Sequence, residues 1–135
     1  MASAALELQK AIFAALQGDA ALAALLGGPR IYDRTASDAA FPYVTFGRTS
    51  AYDWSTGTEI GTEHLFTLHV WSKAKGKKET LDIMQRIEAD LHDSPLAMAG
   101  WRLVNLRREF AETRFDEDQS VYHGLIRFRA MVEAG

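Results

Sequence analysis

The sequence contains no cysteine, so disulfides, thiolate metal sites and cysteine nucleophiles are excluded. That composition fits a reducing compartment. Proline is almost as scarce, with three residues, and each stands at an expected boundary. Pro29 follows a Gly-Gly helix stop, Pro42 opens a strand where it costs no interior ladder bond, and Pro95 bars a helix from continuing. Long apolar runs are also missing. From Ala2 to Leu26 the alanine-rich N-terminus is interrupted by Glu7, Gln9, Lys10, Gln17 and Asp19. It therefore lacks the apolar core of a secretory signal and the run of about 20 residues needed to span a bilayer. A soluble protein, assembled in a cytoplasm and without a membrane partner, is expected. With a net charge of −3 there is no whole-molecule attraction to nucleic acid. The length of 135 residues predicts one domain over residues 1–135, able to bury roughly two-thirds of its unfolded surface.

Catalytic patterns are equally sparse. His64 and His69 leave opposite faces of a predicted strand and cannot share a metal. His92 and His123 could join either through the fold, but no ligand spacing supports that, and solvated or packed histidines are expected. Gly76-Lys77 suggests a phosphate loop, yet Trp71 stands where its first glycine belongs and Lys78 where Ser or Thr must reach magnesium. No serine sits in a G-x-S-x-G elbow. Asp116, Glu117 and Asp118 fall on an expected exposed turn, which gives no support to a catalytic use. No catalytic, cofactor-binding or metal-ligating residue and no cofactor are therefore expected. A deep pocket with convergent polar groups would be needed to revive an enzyme.

What the chain does contain is periodicity. Phe66, Leu68 and Val70 alternate with Thr67 and His69, which predicts a strand from Gly61 to Ser72. A basic run, Lys73 to Lys78, leads into a helix from Glu79 to Leu91. Its expected apolar stripe is Leu81, Met84, Ile87, Glu88 and Leu91. Upstream, Ser3 can cap a first helix with Leu8, Ile12, Ala15 and Leu16 on its buried stripe. Asp19 can cap a second over Ala20 to Leu26, stopped by Gly27-Gly28.

Arg30 to Tyr32 is a candidate short strand, Thr35 to Ala40 a small-residue loop, and Pro42 to Tyr52 a strand. Asp53 to Thr62 is expected to be a mobile connection. Trp101 to Phe115 changes phase partway, which predicts a bulge. Val121 to Val132 alternates cleanly, so these last two strands form a hairpin around an acidic tip. The expected fold class is α+β: a mainly antiparallel sheet of about four strands, with helices packed on one face. The other face would carry Tyr43, Thr45, Leu65, Thr67, His69, Trp71, Leu125, Arg127 and Arg129. That mixture is too apolar for a solvated face and too charged for a core, as in subunit interfaces. Trp54, on a polar loop, either folds back onto the domain or contacts a partner.

Phe41-Pro-Tyr-Val-Thr-Phe-Gly47, Asp53-Trp-Ser-Thr56, Glu63-His64 leading into Leu68-His-Val-Trp-Ser72, Leu103-Val-Asn-Leu-Arg107 and His123-Gly-Leu-Ile-Arg-Phe-Arg-Ala130 occur in a fixed order. In that order and spacing, from about Pro29 to Val132, the sequence resembles the tail-completion, or tail-terminator, family of long-tailed bacteriophages. It is most similar to the type found in prophages and gene transfer agents of alphaproteobacteria. The resemblance implies a structural protein of a phage-like particle. It would be a subunit of a hexameric ring that stops tail-tube polymerisation and joins the tube to a head-side connector or stopper protein. Its implied partners are copies of itself, the tail-tube protein and that connector, with DNA only passing through the lumen. The family supplies no catalytic residues. Residues expected at subunit or partner contacts are Trp54, Trp71, Lys75, Lys77, Lys78, Asp116, Glu117, Asp118, Arg127 and Arg129. The alternative is a nucleic-acid-binding accessory protein using Arg102, Arg107, Arg108, Arg127 and Arg129.

Overall fold

The computed structural model describes residues 3–34 and 38–135. Part of the expected Thr35–Ala40 loop, residues 35–37, lies outside them. Local chemistry sets the first elements. The Ser3 hydroxyl accepts the Leu6 N–H at 3.1 Å and opens α1, Ala4–Gln17. The Asp19 carboxylate accepts the Ala21 N–H at 2.9 Å and opens α2, Ala20–Leu26. Gly27, at φ 80°, takes the left-handed conformation that ends α2.

The chain then forms β1 (Ile31–Tyr32), β2 (Tyr43–Asp53), β3 (Gly61–Ser72), α3 (Lys78–Leu91), β4 (Trp101–Asp116) and β5 (Val121–Ala134). The sheet has five strands in the order β1-β2-β3-β5-β4. About four were expected, and the fifth is the candidate short strand read at Arg30–Tyr32. The addition is β1, which pairs parallel to β2 through Ile31 and Tyr32, while every other pair is antiparallel. Placing β5 between β3 and β4 leaves β4 as an edge.

All three helices described lie on one face. Leu8, Ile12 and Leu16 of α1 join Val44, Phe66, Leu68, Ile126 and Phe128 in one core. The Phe66 and Phe128 rings stack at 5.3 Å, and burying each fully is worth roughly 2–3 kcal/mol. The α3 stripe differs from the expected one. Thr80, Ile83, Met84, Ile87 and Leu91 are buried, whereas Leu81 is 49% exposed. The i, i+3, i+4, i+7 spacing starts at Thr80, a small residue that fits close to the sheet. Glu88 flanks the stripe and pairs with Arg108 of β4 at 2.7 Å. Gly124 of β5 lies beneath this helix, where a Cβ would come within 2.5 Å of Met84 Sδ.

β4 shifts register twice, between Leu103 and Asn105 and between Arg108 and Phe110, and β2 once, between Phe46 and Thr49. Such bulges twist and bend a sheet. Of the expected Asp53–Thr62 connection, Asp53, Gly61 and Thr62 belong to strands, and hydrogen bonds bridge the residues between. Trp54 N–H donates to the Gly61 carbonyl at 2.8 Å and Thr56 N–H to that of Glu59 at 2.9 Å. The Asp53 carboxylate accepts from Ser55 N–H at 3.1 Å, and the Thr56 hydroxyl from Glu59 N–H at 3.1 Å.

Candidate assembly surface

The helix-free face of the sheet is assembled in rows by strand register. Tyr43, Trp71, His123 and Arg114 form one row across β2, β3, β5 and β4, and Thr45, His69, Leu125 and Glu112 the next. The expected outer-face residues are thus together. They form an aromatic ladder that is largely self-covering. Trp71 and His123 stack nearly parallel at 4.2 Å, Trp71 and Tyr43 lie 6.4 Å apart, and Tyr43 and Phe41 4.9 Å apart. The indole N–H of Trp71 donates to the Thr45 hydroxyl at 3.1 Å. Trp71 is therefore half-buried within its own subunit, which limits what it can give a partner.

His69 Nδ1 lies 2.7 Å from His123 Nε2. One nitrogen must donate and the other accept, so both imidazoles cannot be charged at once. Burial holds both below the ordinary histidine pKa, and for His123 the neighbouring His69 and the Arg114 charge add to the effect. The pair was not foreseeable from spacing. Its one local signal is Gly47, where a Cβ would stand 2.3 Å from His69 Nε2, so glycine makes room for the ring.

Below the ladder the face becomes charged and internally paired. Arg129 bonds Glu63 at 2.6 Å, and Arg127 bonds Glu109 at 2.9 Å while lying over the Phe110 ring. Arg102 pairs with Glu133. These pairs bear on the nucleic-acid alternative. Of its five arginines, Arg102, Arg108, Arg127 and Arg129 are already neutralised by carboxylates. Phosphate contact would first have to displace those partners. An open groove of about 360 Å³ runs between Arg48, Ser50, Tyr52, Leu65, Thr67, Glu109 and Arg127. It holds no nucleophile beside a base. Among the described residues no group of three or more His, Asp or Glu could hold a metal ion.

The two ends of the sheet differ in chemistry. Ser72 pairs with Tyr122 and Phe115 with Tyr122. The basic turn after Ser72 and the acidic hairpin tip after Phe115 therefore leave the sheet at the same end. Lys73 lies 4.5 Å over the Phe41 ring, and Lys78 is paired with Asp82 at 2.6 Å. Asp116 accepts the N–H groups of Asp118 and Gln119 at 3.0 and 3.2 Å, which shapes the tip. Among the described residues, Lys75, Lys77, Glu117 and Asp118 enter no ion pair, and all four are exposed. At the opposite end Tyr52, Trp54 and Ile60 are exposed by 55%, 43% and 55%. The Trp54 ring rests on Gly61, where a Cβ would meet it at 2.6 Å. The indole thus both folds back and stays partly open.

On the helix side, Arg86 links two carboxylates, bonding Asp19 at 2.6 Å and Asp90 at 3.3 Å. Burial pushes the Asp90 pKa up to about 7, helped by its hydrogen bond to Asp19 and the Asp19 charge. Burial also opposes ionisation of Asp19. The proton held by Asp90, the Arg86 guanidinium and the N–H groups of Leu22 and Ala21 outweigh it, leaving Asp19 at about 2. The sequence shows Arg86 and Asp90 four apart on one helix, but not the capping residue of α2 beside them.

Comparison with known proteins agrees over nearly the whole chain. The family model described as "Tail completion protein gp17" matches residues 10–133. Tail completion protein gp17 of Bacillus phage SPP1 is 27% identical over 100 residues, 74% of this chain and 74% of that protein. A chain in the solved structure of the "Virion of native gene transfer agent (GTA) particle" is 30% identical and superposes with a TM-score of 0.90. The match covers 99% of this chain and 100% of that one.

Proposed function

Because the chain belongs to the tail completion protein gp17 family, we propose that this structural virion protein is a subunit of a closed ring, a hexamer, in the neck of a phage-type particle. The ring ends the tail tube and joins it to the head-side connector. Its partners are copies of itself, the tube protein and the connector, and DNA only traverses its lumen. Such a role is mechanical and needs no catalytic residue. No helix among the described residues is long and apolar enough to cross a membrane.

One observation carries the reading: a single layer of helices covers one sheet face, and no element among the described residues covers the other. An α+β chain normally buries both faces or solvates one cleanly. Here the open face combines a stacked aromatic ladder with exposed Tyr52 and Phe110, as expected where neighbouring subunits finish a layer. Deleting the gene in a producing strain tests the role. Electron micrographs should show tails of uncontrolled length, unattached to heads, and the native chain supplied in trans should restore particles. Normal tails joined to filled heads in the deletion strain would overturn it.

A further inference from the structure

The unpaired charges at one end of the sheet carry the strongest inference. They sit on two surfaces, a projecting hairpin tip and a groove. The acidic tip closes the β4–β5 hairpin at the sheet edge, where β4 has no strand on its outer side among the described residues. Beside the tip Phe115 is 47% exposed, packed edge-on against Tyr122 at 5.0 Å. The projection thus has an apolar side and an acidic point.

The complementary surface is a groove of about 350 Å³ where the end of α2 meets the start of α3. Leu25 and Ala74 supply its apolar part, Lys75 and Lys78 its basic rim. Of its two acids, Asp82 is paired with Lys78, and Glu79 keeps its charge while accepting the Ser72 hydroxyl at 2.6 Å. Lys75 and the adjacent Lys77 keep free charge.

The placement of the two surfaces matters as much as their charge. α2 runs antiparallel to α3, with Asp19 at its start bonded to Arg86 and Leu25 near its end beside Asp82. It then leads into β1, the sheet edge opposite β4. The groove's Ala74 and Lys75 follow β3, which β5 separates from the β4 edge, so groove and tip are distinct surfaces, and both sit at the end of the sheet marked by the Ser72–Tyr122–Phe115 row. A closed ring needs two different patches per subunit. Rotation about the ring axis preserves height, so those patches must be level. These two are level when the strands run along the axis.

We infer that the hairpin tip of one copy, Phe115 with Glu117 and Asp118, seats in the α2–α3 groove of the next, against Leu25, Lys75 and Lys77. This contact rests on the ring reading above and names the surfaces that close it. Exposed ion pairs are individually weak, so Phe115 on Leu25 and Ala74 supplies the burial and the charges set which patch meets which.

Because the native chain lacks cysteine, Glu117→Cys and Lys75→Cys can be placed together in the full-length protein and expressed in the producing strain. Mild oxidation of purified particles should give a ladder of covalent oligomers that stops at the ring number, while either single variant gives none. Only a head-to-tail contact builds a ladder beyond dimers. Reversing one side, K75E/K77E or E117K/D118K, should lower incorporation of the chain into particles at least tenfold, and combining all four changes should recover most of it. An oxidised product confined to monomer or dimer, while an amine-reactive reagent still links the copies, overturns this contact and leaves the ring standing. Particles in which no reagent links two copies remove the ring itself.

Discussion

Replacing Asp90 with asparagine should leave stability nearly unchanged near pH 4 and raise it increasingly from there to neutral pH. In the folded chain Asp90 holds its proton up to about 7, against 3.8 when free. From pH 4 to 7 the native state therefore binds a proton that the unfolded chain has released, and stability falls as pH rises through that window. Each unit is worth about 1.4 kcal/mol, so the three-unit window sets a ceiling of about 4 kcal/mol. Arg86 is 41% exposed, and its solvation screens the carboxylate pair, so a loss of about 2 kcal/mol is expected. Asp19 acts in the opposite sense. Its pKa of about 2 contributes stability that is present above 3.8 and lost only in stronger acid. The amide introduced by Asp90→Asn can keep both contacts, donating to Asp19 and accepting from Arg86, without titrating. Urea unfolding followed by tryptophan fluorescence from pH 4.5 to 8.5, at two protein concentrations to exclude assembly, should show Asp90→Asn gaining on the native chain with rising pH. A difference that stays flat within about 0.3 kcal/mol, or that shrinks as pH rises, would refute a shared proton between α2 and α3.

The His69–His123 pair titrates the other way. Both pKa values are depressed, so its contribution is full above the free value near 6.5 and declines as pH falls; NMR titration of the imidazoles should place both below 6.5. Gly47→Ala should disrupt that pair, because the new Cβ overlaps His69 Nε2, with a cost of about 1–3 kcal/mol measured by urea denaturation. Phe128→Ala should cost about 3–5 kcal/mol, since the ring is fully buried against Phe66; a loss under about 1 kcal/mol would mean the core collapses to fill the space. Ser3→Ala removes the cap on Leu6 and should cost about 1 kcal/mol, measurable in the same assay.

The features legible in the sequence were those fixed by nearest neighbours. Ser3 and Asp19 cap the helices they precede, and Gly27 ends α2. The alternation from Tyr122 to Val132 holds because one face of β5 packs under α3 while the other remains open. Where two rules competed, the longer range one won. Leu81 is the more hydrophobic residue, but Thr80 and Ile83 hold the inward positions because α3 must approach Gly124 closely. The two-residue β1 is too short for any period and exists through pairing with Val44 and Thr45. His69 and His123 meet across 54 residues, a distance no local pattern spans. The 53–60 segment is rich in turn formers, as loops are, yet its serine, threonine and aspartate side chains satisfy the backbone rather than leave it loose.

Sequence alone offered the 53–62 loop and the charged turns as interchangeable candidates for contacts around a ring. Register separates them. Gly61 pairs with Glu133 and Trp101 with Ala134, so the Trp54 loop sits at the end of the sheet remote from Lys75 and Asp118. Patches that meet around an axis must be level, so in a ring closed through the charged end the aromatic loop cannot take part in that same contact. On the ring reading proposed above, it would face along the axis, toward whatever stacks on the ring. Tyr52, Trp54 and Ile60 are apolar residues held by an ordered turn and need little further immobilisation on docking. Charged turns suit the opposite task, selecting register between identical copies. The division follows from strand order: β5 joins β3 to β4, so the hairpin tip and the basic turn share one end of the sheet while the Trp54 loop takes the other.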